Sequence, residues 1–328
     1  MVLAFLFRAR AVLVGTLAII AAEGRAAPLP LVDQNPLLIG IAQPLGVDAT
    51  FPDAHATNTS AVLNWSNISL IENVGQESLV LDSELQEWRL SIVHALSSNF
   101  AMGIGIPYRK LSGGTLDSAI ERWHSLLGLP NGTRPMLPQD NFTIDYERAG
   151  RSILARSSGY SGIDNLTLAF GYRPTLQSMF DCAVWLNVNL PLGNANPITQ
   201  SDSTSVSINA FADRPLSSRW HAFARASFTY VEPSGLLQDW QRSTMWAGTI
   251  GFDYRATQKL SLTLQFDGHS AAFDSALKPL GSAWILGVGG TYSWSDRWQM
   301  QLGIGEDIKV DASPDVTFIL AITNRTGR

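Results

Sequence analysis

Asp117, Glu121 and His124 are the side chains of this 328-residue chain whose types and spacing could do chemistry. At i, i+4 and i+7 of a helix they fall along one face. A carboxylate–carboxylate–imidazole row could hold a divalent metal or act as an acid/base cluster. Ser125 beside it is a remote nucleophile candidate, and Trp123 and Arg134 complete the group. The same spacing is common on solvated amphipathic helix faces, so both readings stand at this point. His55, His94, His221 and His269 are scattered singly and read as structural or lumenal polar groups. Cys182 is alone, which excludes an internal disulfide and a cysteine-based zinc site. The chain has no His-Glu-x-x-His, no Gly-x-Ser-x-Gly and no phosphate-binding glycine loop, so no cofactor is expected and an enzymatic role has no established motif behind it.

The element that must carry the row lies between Leu111 and Pro138. Gly113 and Gly114 end an extended run, and Thr115 is the expected N-cap, with Asp117 favourable against the helix dipole. Residues 116–127 have helical periodicity, with Leu116, Ile120, Trp123 and Leu127 as an apolar stripe. Gly128 and Pro130 supply the stop.

Almost everything around this stretch reads as β-strand. Twelve runs recur: Ala61–Leu70, Glu84–Leu96, Phe100–Arg109, Asp164–Tyr172, Met179–Leu190, Ser203–Asp213, Arg219–Val231, Thr244–Arg255, Lys259–Asp267, Ala283–Trp294, Arg297–Gly305 and Asp315–Thr323. Many alternate: Leu260, Leu262, Leu264 and Phe266 oppose Ser261, Thr263, Gln265 and Asp267. Tight turns at 97–99, 173–178, 214–218, 256–258 and 295–296 interleave with longer links at 71–83, 110–163, 191–202, 232–243, 268–282 and 306–314. That alternation is the habit of outer-membrane barrels, with short periplasmic turns and long outer loops. The expected fold is therefore an all-β, antiparallel up-and-down transmembrane barrel of about 12 strands. Its long helix-containing insertion, 111–163, falls between strands 3 and 4. Four turns repeat a pattern that ends in an apolar residue: Ser97-Ser98-Asn99-Phe100, Ser217-Ser218-Arg219-Trp220, Thr257-Gln258-Lys259-Leu260 and Ser295-Asp296-Arg297-Trp298. This suits an interfacial girdle.

Composition agrees. There are only four lysines against ten tryptophans, where a soluble chain covers its surface with Lys and Glu. The net charge of −5 gives no electrostatic support for nucleic-acid binding. Arg8 and Arg10, the apolar run Ala11–Ala22 and small residues to Ala27 read as a signal peptide over 1–27. Residues 28–60, rich in Pro, Asp, Ala and Asn, are expected to form a periplasmic or lumenal segment, with the barrel over 61–328. The expected location is the outer membrane of a Gram-negative bacterium. Outer-membrane lipid and the barrel-assembly machinery are the expected partners, although the chain ends Asn324-Arg325-Thr326-Gly327-Arg328 without the terminal aromatic that barrels favour.

Gly113, Gly114, Leu116, Asp117, Ile120, Glu121, Trp123 and His124, followed by Gly128, Leu129, Pro130, Gly132 and Arg134, resemble a motif of a family of proteobacterial outer-membrane proteins of unknown function. Asp33-Gln34-Asn35-Pro36-Leu37 and Gly162-Ile163-Asp164 are also similar. The resemblance implies a barrel and supplies no catalytic assignment. The leading functional expectation is a narrow or gated channel for a small solute, with the insertion folded into the lumen or over the rim. The alternatives are an enzyme acting on lipid or peptide at the rim, and a structural barrel that displays the insertion to a protein partner.

Overall fold

A computed structural model of the chain describes residues 28–41, 52–128, 130–175, 180–192, 198, 204–235, 237–309 and 311–327. The expected signal peptide, 1–27, lies outside them, as do Leu129 and the expected strand starts Met179 and Ser203. Strands β1 (Thr57–Val74), β2 (Glu77–Ala95) and β3 (Phe100–Ser112) make an antiparallel meander. The insertion follows: helix α1 (Asp117–Leu127), a 3-10 turn at Arg134–Met136, and the hairpin β4 (Thr143–Arg148) and β5 (Arg151–Arg156). Next, β6 (Tyr160–Ile163) and β7 (Leu166–Tyr172) pair with successive stretches of β3, as one wall strand broken at Asp164 and Asn165.

The meander continues through β8 (Asp181–Leu190), β9 (Ser205–Pro215), β10 (Trp220–Val231), β11 (Thr244–Arg255), β12 (Leu260–His269), β13 (Ala283–Ser293), β14 (Trp298–Asp307) and β15 (Val316–Thr326). β15 then pairs with β1, from Thr57↔Thr326 to Asn67↔Val316. With β6 and β7 counted as one, twelve strands close an antiparallel barrel, and the insertion sits between the third and fourth. Among the described residues each of these twelve strands pairs with two neighbours, as a closed barrel in lipid requires.

Alternation decides which side chains face out. On β12, Leu260, Leu262, Leu264 and Phe266 are exposed while Thr263, Gln265 and Asp267 are buried in the lumen. The repeated turns have a common chemistry. In each, the first Ser or Thr hydroxyl accepts the backbone N–H of the third and fourth residues: Ser97 from Asn99 and Phe100, Ser217 from Arg219 and Trp220, Thr257 from Lys259 and Leu260, Ser295 from Arg297 and Trp298. The side chain thus does the work of a missing backbone partner. Rings collect at this end of the wall, where Trp220 meets Tyr254 and Trp294 stacks on Trp298 with centroids 6.0 Å apart. Tyr108, Tyr230, Trp246 and Trp284 are exposed toward the opposite end.

Residues 71–83 do not form the expected long link. β1 and β2 continue past the wall and meet at a two-residue turn, where Gly75 takes a φ of +60°. Ile68, Leu70, Leu79 and Leu81 on this extension are fully buried, each stabilising by about 1.5–3 kcal/mol. Their cover comes from distant segments, so the local polarity of Glu72, Asn73 and Glu77 suggested a loop. β4 pairs with Glu77–Asp82 of β2 and brings Ile144, Tyr146 and Leu154 into the same apolar cluster.

Candidate functional site

The lumen is the first site a barrel offers, and this one is occupied by the chain itself. Residues 28–41 run inside it from the short-turn half toward the long-loop mouth. The Pro28 carbonyl accepts from Gln301, and the Leu29 N–H donates to Gln265 Oε1 at 2.8 Å while the Leu29 carbonyl accepts from Gln265 Nε2. Further along, Asn64 donates to the Pro30 carbonyl, and His269 Nε2 lies 2.8 Å from Asp33 Oδ2. At the mouth, Asp33 and Asn35 accept backbone N–H groups two residues on, and Asn35 Nδ2 donates to the Pro279 carbonyl. These side-chain bonds set up the turn 35–39, which carries Leu37, Leu38, Ile39 and Ile41 into the apolar cluster with Leu79, Leu81, Leu237 and Phe273.

Glycines make room for the segment. Gly287, Gly289, Gly303 and Gly305 face Leu29 and Leu31, and a Cβ at Gly305 would lie 2.8 Å from Leu31 Cδ1. The rest of the lumen is a polar ladder. Glu87 pairs with Arg89 and Arg109, Arg109 with Asp164, and Arg225 with Asp267, all largely buried. Burying such charges is tolerable because each is paired and further bonded, as Asp267 is by Thr249 and Gln265.

The insertion's motif residues form a second site, and it is not in the lumen. Asn67 and Glu84 have the outward parity of β1 and β2, and Glu306 that of β14; these are the residues α1 docks on. The helix therefore lies against the outside of the wall, which corrects the expectation that it folds in or over the rim. Its N-cap is Leu116 rather than Thr115, and no side chain of its own caps it. Instead Glu84 of β2 accepts the N–H groups of both Thr115 and Leu116, and its other oxygen accepts Trp65 Nε1 at 2.7 Å. Gly114 passes so close to Glu84, at φ +79°, that only glycine fits. Gly128 ends the helix in the left-handed conformation, as its sequence position implies.

Asp117 and His124 are not solvated; they are 3 % and 4 % exposed. Arg134, 2 % exposed, donates to Asp117 Oδ1 and to Asn67 Oδ1, each at 2.6 Å, and also pairs with Asp315. Asn67 and the Asp140 N–H supply the remaining bonds to Asp117. Burial pushes the Asp315 carboxyl above its ordinary range, and Arg134 and His124 pull it back only in part. His124 Nδ1 contacts Asn131 Oδ1 at 2.9 Å, with Nε2 4.0 Å from Glu306, while Trp123 Nε1 donates to Glu306 Oε1 at 3.0 Å. Glu121 bonds Gln139. The structure thus joins Asp117 with Arg134, and Trp123 with His124, but gives Glu121 a separate partner; Ser125 is exposed. Among the described residues no group of three His, Cys, Asp or Glu is placed to hold a metal. The arrangement clamps the insertion to the wall. Its distant members Asn67, Glu84, Glu306 and Asp315 carry no local sequence signal, because pairing of remote strands brings them in.

Two carboxylates on the extension beyond the wall complete the picture. Asp82 is pushed up to about 6, chiefly by burial, with Asp117 adding repulsion and Asn141, Ser69 and Arg134 opposing. For Glu77 burial acts the same way, but bonds from Ala276, Tyr146 and Ser275 and the Arg148 charge outweigh it, and its pKa falls below the ordinary value.

One solved barrel shares this fold, and others align less closely. The COG4313 outer membrane channel from Pseudomonas putida F1 superposes with a TM-score of 0.54 over 88% of this chain and 98% of that one, at 13% identity. The KdgM porin aligns at 0.44 and 8% identity over 82% of this chain and 99% of its own. The CymD monoaromatic hydrocarbon channel aligns at 0.42 and 11% identity over 92% and 99%. No curated protein matches the chain in sequence. One family model matches residues 5–326, nearly the whole length, and the chain belongs to that family, described as protein of unknown function DUF3187.

Proposed function

We propose that the protein is an outer-membrane channel whose lumen is closed at rest by its own N-terminal segment. The observation that carries this reading is the path of residues 28–41 inside the lumen, where hydrogen bonds with Gln301, Gln265, Asn64 and His269 and the apolar contacts of Leu37–Ile41 hold it. The wall closes through its own strand pairing, without that segment. A plug held this way can leave while the barrel persists. Twelve strands fall between the filled eight-stranded barrel and the open sixteen-stranded pore, so the lumen that an exit would free is narrow. The exposed apolar wall and the rings at both ends support residence in a bilayer. The test is single-channel conductance in planar bilayers. Deleting 28–41 raises conductance well above wild type, whereas deleting 112–134 leaves it unchanged, because α1 lies outside the wall. A folded barrel that conducts negligibly with and without residues 28–41 refutes the channel.

A further inference from the structure

We propose that His269 and Asp33 form a proton-controlled latch, which keeps residues 28–41 in the lumen while the imidazole is charged and lets them go as pH rises. The proposal rests on the reading of that segment as a plug that can leave, and it adds what regulates the exit.

The two ring nitrogens define the latch. His269, the last residue of β12, turns into the lumen at the long-loop mouth, and its side chain is 7% exposed. Its Nε2 lies 2.8 Å from Asp33 Oδ2, and its Nδ1 lies 2.8 Å from the Ser270 carbonyl oxygen. A carboxylate and a carbonyl accept hydrogen bonds and donate none. A neutral imidazole has one N–H, so it would set a bare nitrogen against an oxygen at the other contact. Only the imidazolium satisfies both, and the geometry therefore selects the cation. Charge then makes the bond to Asp33 stronger than a neutral one.

Few other charges compete for the ring. Its partners across the sheet are Ala247 of β11 and Ala283 of β13. Asp267, two residues earlier on the same lumenal face, is engaged by Arg225, Thr249 and Gln265. Asp307, lumenal on β14, accepts the Ala312 N–H. Lys309, in the link after β14, opposes the charge of the ring, but its ammonium is held by Ser282. Asp33 is the acid that offsets it, and its second oxygen accepts the Asn35 N–H at 2.8 Å. Asp33 thereby ties the ring to the turn 35–39, which seats the apolar tip.

The next residue of the segment works against closure. Gln34 is fully buried, and neither its amide nitrogen nor its amide oxygen has a hydrogen-bond partner among the described residues. A buried amide without partners destabilises the state that buries it, because water would bond it once the segment left. Closure thus combines a bond that depends on a proton with a group that gains from release.

The sign of the pH effect follows. In an open, wet lumen His269 titrates near the ordinary imidazole value of about 6.5. The closed state holds that proton more tightly, so its stabilisation is complete below about 6.5 and is lost as pH rises above it. One linked proton shifts the opening equilibrium by at most about tenfold per pH unit.

Hydrogen exchange of the full chain, resolved by segment and corrected for intrinsic rates, tests this from about pH 5.5 to about pH 8.5, either side of the ordinary imidazole value. Opening of residues 28–41 in the wild type should be nearly constant at the acidic end and rise roughly tenfold or more toward the alkaline end. Conductance in planar bilayers should rise over the same range. His269→Gln should be flat in pH and more open than wild type at the acidic end. His94→Gln, which alters a wall histidine beside Thr57 at the opposite end, should keep the wild-type slope. Gln34→Leu should exchange more slowly than wild type with the slope unchanged. Heat-modifiable gel mobility confirms that each variant is folded. A flat wild-type profile, a wild-type slope in His269→Gln, or faster exchange in Gln34→Leu overturns the proposal. Exchange with the expected slope in a barrel that never conducts keeps the latch and refutes the channel, whereas a conducting barrel with pH-flat exchange does the reverse.

Discussion

Arg134→Ala tests the clamp most directly. The guanidinium is 2 % exposed and holds two carboxylates, Asp117 and Asp315, together with the Asn67 amide. Its removal leaves Asp117 with only the bonds from Asn67 and the Asp140 N–H, and leaves Asp315 without the charge that offsets its burial. Breaking a buried pair by deleting one partner costs about 3–5 kcal/mol, because the other charge stays buried. At about 1.4 kcal/mol per factor of ten, the opening equilibrium of residues 113–142 shifts by roughly two to three and a half decades. The wall does not contain these residues and keeps its strand pairing, so the loss is local. Hydrogen exchange resolved by segment is the assay. Amides of α1 should exchange faster by that factor while those of β10 to β12 stay protected. Asn67→Ala, which removes one neutral partner, should give a much smaller change. Unchanged protection of α1 in Arg134→Ala would refute the view that this network clamps the helix to the wall.

Other outcomes follow from the same geometry. Gly114→Ala meets the Glu84 carboxylate at 1.8 Å and should detach the helix N-terminus; Glu84→Gln, which keeps an oxygen acceptor, should be milder, with helix exchange as the readout. Gly305→Val places its side chain on Leu31 and should expel the lumenal segment, seen as faster cleavage of residues 28–41 by an added protease and as higher conductance. For Asp82, burial raises the folded pKa from 3.8 to about 6, so the folded state binds more protons between those values. The stability of the β1–β2 extension therefore rises as pH falls from 7 toward 4, is fully gained below 3.8 and is lost as pH rises through 6. Exchange corrected for intrinsic rates should show this slope, and Asp82→Asn should flatten it.

The barrel was legible because its determinants are local and repeated. Alternation on β12, or Ser295 ahead of Trp298, acts within a few residues, and twelve concordant strands outweigh the weakness of each. The helix was legible for the same reason, in Ile120 at its centre and Gly128 at its end. Its cap was not, since Glu84 lies about thirty residues upstream and reaches Thr115 only once β2 is paired. Asp82, Glu306 and Asp315 were likewise invisible as partners of the insertion. The turn at Gly75 read as a loop because the apolar cover over Leu79 and Leu81 arrives from β4 and from residues 37–41.

By itself, then, the sequence determined a closed wall of about twelve strands and one helical insertion, since periodicity and turn chemistry are properties of neighbouring residues. Tertiary structure decided which segment fills the lumen and which lies outside it. Asp33–Leu37 became the tip of a plug, and Asp117 and His124 became buried parts of an external clamp. Which face of a closed sheet a segment meets depends on contacts hundreds of residues apart, such as Leu29 with Gln265, and no local pattern encodes them.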